Sequence, residues 1–77
     1  MQTLDELFFN AFDEVTNLPW HIYDTNNHNK LITNNYGDLL CGEMKELDDA
    51  SVVSCQVRET KKGRYVAVYI RFKEEYL

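Results

Sequence analysis

The chain reads as an α+β protein, with an N-terminal amphipathic helix packed on a small, mostly antiparallel β-sheet. Leu4, Leu7, Phe8, Ala11, Phe12, Val15 and Leu18 recur at three- and four-residue steps, the period of a helix. Residues 53–57 and 65–72 alternate apolar with other side chains, the period of a strand. With 77 residues and 44% hydrophobic content, the chain can fill one modest core, so residues 1–77 are read as a single domain.

The helix is expected over residues 3–17. Thr3 and Glu6 fit a capping box, and Asp5 and Glu6 place negative charge where a helix N-terminus favours it. Pro19 ends the helix near Asn17. Glu6, Asn10, Asp13 and Asn17 fall on the face away from the apolar stripe, and Phe9 also lies outside it.

Residues 20–23 read as a short strand with Trp20 and Ile22 on one face. The polar run from Asp24 to Asn29 reads as a turn, residues 30–33 as the return strand, and residues 34–38 as a second turn. Residues 39–50 fit either a short helix, through Leu40, Met44 and Leu47, or a strand or irregular connection, because Gly42 and the closing Asp48-Asp49 pair disfavour a helix.

The last third reads as a hairpin turning at residues 60–63. Pairing Val57 with Val66, Cys55 with Val68 and Val53 with Ile70 puts both apolar sets on one face, with Cys55 as a small buried hydrophobe.

Charge is unevenly distributed. Residues 1–50 hold ten of the thirteen Asp and Glu but two of the eight Lys and Arg, a balance of −8, which leaves +3 for residues 51–77. A net charge of −5 disfavours binding to nucleic acid or to an anionic membrane and fits either plain solubility, the commoner reason for an acidic balance, or a basic protein partner. The two cysteines lack metal or redox spacing, no leader-like segment or apolar membrane span is present, and a cytoplasmic protein is expected.

Motifs for catalysis are absent. The glycines are isolated, so there is no phosphate-cradling loop, and neither cysteine has a histidine within a recognisable frame. His21, Asp24 and His28 form the one histidine–carboxylate grouping, but its flexible, Asn-rich setting suits a metal poorly. No metal, cofactor or enzymatic activity is expected.

Two surfaces remain. Glu6, Asp13, Asp48 and Asp49 are candidate charge-pairing groups, with Phe9 as an apolar anchor, for an inhibitor or modulator of a larger basic protein that handles nucleic acid. Such proteins are often encoded by phages and other mobile elements. Alternatively, Tyr65 and Tyr69 with Lys61, Lys62 and Arg64 supply the ingredients of a single-stranded nucleic-acid platform. A homodimer through the C-terminal edge strand is a third expectation.

Overall fold

A computed structural model describes residues 2–38 and 45–74. Helix α1 (Leu4–Asn10) and the one-turn helix α2 (Asp13–Thr16) precede strands β1 (Trp20–Asp24) and β2 (Lys30–Thr33). The one-turn helix α3 (Lys45–Asp48) and the hairpin of β3 (Ser51–Thr60) and β4 (Gly63–Arg71) follow. The strand order is β2-β1-β4-β3, antiparallel except for the central β1–β4 pair, so the α+β arrangement and its mostly antiparallel sheet are those expected.

The capping box forms at Thr3, whose side chain accepts from the Glu6 N–H while Glu6 accepts from the Thr3 N–H. The expected single helix over residues 3–17 does not form. Ala11 and Phe12 are extended, with φ/ψ of −78/153° and −66/150°, and they separate α1 from α2. The break redirects the chain so that the Val15 carbonyl accepts the Trp20 indole N–H at 3.0 Å, while Val15 and Leu18 pack on the core. Asp13 and Glu14 then occupy the first turn of α2, where the helix dipole favours carboxylates. Phe12 consequently leaves the apolar stripe and is 78% exposed.

The core lies between the helical layer and one sheet face. Leu4, Trp20, Ile22, Leu47, Val66, Val68 and Ile70 are fully buried, each aliphatic contributing about 1.5–3 kcal/mol. Phe8 meets Trp20 and Tyr36 edge-on at centroid distances of 4.9 and 5.4 Å, which fixes α1 over β1. The Thr25 hydroxyl donates to the Ile70 carbonyl at 2.7 Å, and the Asn26 side chain accepts from the Phe72 N–H at 3.1 Å. These bonds tie the turn after β1 to the end of β4.

The hairpin register matches expectation at Val57–Val66 and Cys55–Val68 but not at Val53–Ile70. A bulge sets Val52 opposite Ile70 instead and leaves Val53 as the extra residue, 57% exposed. Cys55 is exposed rather than buried, because the helical layer covers β1 and β4 and does not shield this part of β3. Of residues 39–50, those from Lys45 to Asp48 are helical with Leu47 buried; the positions of Leu40, Cys41, Gly42 and Met44 lie outside the described residues.

Candidate binding surfaces

Helix α1 turns Phe8 inward and thereby turns Phe9 outward. Phe9 is 71% exposed, and its ring meets Phe8 edge-on at a centroid distance of 6.1 Å. Phe9 and Asp13 line one open groove of about 630 Å³, with Ala11, Asn17, Pro19 and Gly37 among its other walls. Glu6, Asp13 and Glu14 are exposed on this layer, and no Lys or Arg occurs in the chain before Lys30. A large exposed aromatic in an anionic setting is what a complementary cationic surface with an apolar pocket would bury.

The other two proposed acids differ in character. Asp48 is half-buried and accepts the Tyr36 hydroxyl at 2.6 Å, so its carboxylate already holds α3 to the turn at Tyr36. Asp49 is also half-buried, and its N–H donates to the Lys45 carbonyl at 3.0 Å to close α3. Of the five residues named from the sequence, Glu6, Phe9 and Asp13 share the α1–α2 layer, whereas Asp48 ends α3 and Asp49 follows it. Glu6 is itself engaged in capping, accepting the Thr3 hydroxyl at 2.8 Å. Phe12 was not anticipated, because its place in the helical stripe disguised the break that exposes it.

The opposite sheet face carries a ring cluster. Alternation along β1 sends Trp20 and Ile22 to the core and leaves His21 and Tyr23 on the open side. The parallel β1–β4 register brings these beside Tyr65 and Tyr69. His21 stacks on Tyr65 at 4.3 Å, and Tyr23 stacks on Tyr69 at 5.0 Å. Arg58 of β3 donates to the Tyr69 hydroxyl at 2.8 Å, and its guanidinium lies 5.7 Å from that ring's centroid. Burial, followed by the neighbouring Tyr65 and Tyr69, pushes the Tyr23 phenol above its ordinary pKa. The strand residues on this face include Arg58 and Arg71 and no carboxylate.

The remaining cations proposed for nucleic acid are dispersed. Lys61 and Lys62 sit exposed in the hairpin turn, while Arg64 pairs with Glu59 at 3.6 Å on the side of the sheet opposite Tyr65. His21, Tyr23 and Arg58 were missed as members of this surface. Their alternation was visible in sequence, but their neighbours depend on the strand order. His21 belongs to the ring cluster and His28 to a left-handed turn, and among the described residues no three metal-ligating side chains converge. No helix among the described residues is long and apolar enough to cross a membrane.

Comparison of the chain with protein-family models, with curated proteins and with solved structures returned no match.

Proposed function

We propose that this chain is a small, non-catalytic binding protein that docks through its α1–α2 layer onto a larger basic protein, one that handles nucleic acid. The supporting observation is the pair Phe9 and Phe12, 71% and 78% exposed beside Asp13 and Glu14 in a stretch with no Lys or Arg. The phenylalanines supply apolar anchors, and the carboxylates steer and orient a cationic partner. In this role the protein occupies its target's nucleic-acid groove and inhibits or modulates it, as proteins encoded by phages and other mobile elements do.

A second reading is favoured by the His21, Tyr23, Tyr65 and Tyr69 cluster, whose sheet face has arginines and no strand carboxylate. A single strand would place phosphates on Arg58 and Arg71 and add bases at the ends of the ring stacks.

Capture from host lysate, with and without nuclease, distinguishes them. The leading reading expects one stoichiometric basic protein, retained after nuclease treatment and released as salt rises. Replacing both Phe9 and Phe12 by Ala should weaken that capture by roughly 30-fold or more, the loss of about 2 kcal/mol typical of an anchor, without unfolding the chain. Undiminished capture by the double variant would remove the leading reading. Recovery of nucleic acid alone, lost in Tyr69→Ala, would establish the second.

A further inference from the structure

We propose that β3 is a self-pairing edge, joining two copies of this chain in an antiparallel ladder centred on Val57. The strand order leaves β2 and β3 at the edges of the sheet. Strand β2 has four residues, begins with Lys30 and meets β1 through an irregular register. Short length, lysine and bulges are devices by which natural sheets blunt an edge. Strand β3 has ten residues and is protected only at its start. There Val52 N–H donates to the Gln2 carbonyl, and Leu4 N–H donates to the Ala50 carbonyl, both at 2.9 Å, so the N-terminal chain closes the outer side of residues 50–52. From Ser54 to Thr60, no described strand pairs with the outer side of β3. This stretch contains no Pro, no Lys and no register shift.

The side chains favour a second copy as the occupant. Cys55 and Val57 pair with the core residues Val68 and Val66, yet Cys55 is exposed and Val57 is 52% exposed. A two-fold axis that uses the open stretch from end to end falls on Val57. It sets Val57 against the partner's Val57, Gln56 against the partner's Arg58, Cys55 against the partner's Glu59, and Ser54 against the partner's Thr60. No like charges then face each other. Centring on Arg58 would oppose two guanidiniums, which destabilises a cross-strand pair. Centring on Cys55 would run the ladder into the bulge at Val53. The Val57 register joins the two sheets edge to edge and covers the apolar Val57 side chains with each other.

Sedimentation equilibrium from about 10 μM to about 1 mM, spanning the dissociation constants of small interfaces, tests the pairing. The wild-type chain should reach the dimer mass within this range. Val57→Lys should remain monomeric throughout, with an unchanged circular-dichroism spectrum, while Leu31→Lys on the other edge strand should dimerise normally. Should Val57→Lys fail to fold, Val57→Cys in a Cys41→Ser, Cys55→Ser background decides, since air oxidation should give a disulfide-linked dimer. A wild-type monomer at about 1 mM, a Val57→Lys dimer as tight as wild type, or no cross-link at position 57 would each overturn the proposal.

Discussion

Tyr23 shows how a single side chain couples the open sheet face to stability. Its phenol pKa is raised chiefly by burial and then by Tyr65 and Tyr69, which resist a second negative charge among the rings. An unfolded tyrosine ionises near pH 10, so above that pH the unfolded chain gives up this proton before the folded one. The stabilisation is therefore fully present below about pH 10 and is lost as pH rises through the higher folded value. Tyr23→Phe should lower the urea midpoint less steeply with pH than wild type does between about pH 9 and pH 11. Equal slopes would mean that the Tyr23 phenol is as free in the fold as in the open chain. Cys55 is affected in the same direction, because partial desolvation pushes its thiol up and disfavours the thiolate that chemistry would require.

Among the elements, the tight hairpin turn offers the cleanest separation of strain from packing. Gly63 has φ of +129°, and a Cβ built there meets nothing within 4 Å. Gly63→Ala should therefore destabilise the protein by about 1–3 kcal/mol through backbone strain alone, measured as a lower urea midpoint with an unchanged slope. A neutral result would show that the turn shifts to a conformation open to any residue. The turn was legible in sequence as the Thr60–Gly63 cluster between two alternating runs, and so were the capping box and the Trp20–Ile22 face. Each is set by neighbours in the chain. The break at Ala11–Phe12 was not legible, because the apolar stripe of Leu4, Leu7, Phe8, Ala11, Phe12, Val15 and Leu18 keeps the helical period straight through it, and the Trp20–Val15 bond that the redirected chain makes leaves no mark on that period. The bulge at Val53 escaped notice for a similar reason, since alternation continues plausibly through Val53 to Ile70. The ring cluster depends on β1 lying parallel to β4, a pairing that joins residues more than forty positions apart and leaves no local trace.

At the scale of the molecule, the charge imbalance visible in sequence becomes a difference between layers. Asp5, Glu6, Asp13 and Glu14 belong to the helical layer, while Arg58 and Arg71 belong to the open sheet face. The protein measures 37 × 25 × 21 Å. In about 10 mM salt the screening length is about 30 Å, so the acids of one layer repel one another across much of the fold. Near 1 M it falls to about 3 Å, and only adjacent charges interact. The Glu59–Arg64 ion pair loses little attraction in exchange, because both side chains are exposed, Arg64 at 65% and Glu59 at 75%, and such pairs contribute little. Adding sodium chloride from about 10 mM to about 0.5 M should therefore raise the melting temperature by a few degrees. The same addition should weaken capture of a basic partner, so stability and binding respond to salt with opposite signs. An unchanged or lower melting temperature would show that attraction between the two layers outweighs repulsion within the acidic one. The acidic surface would then be balanced by the protein's own cations, and the electrostatic drive toward an external basic partner would be correspondingly small.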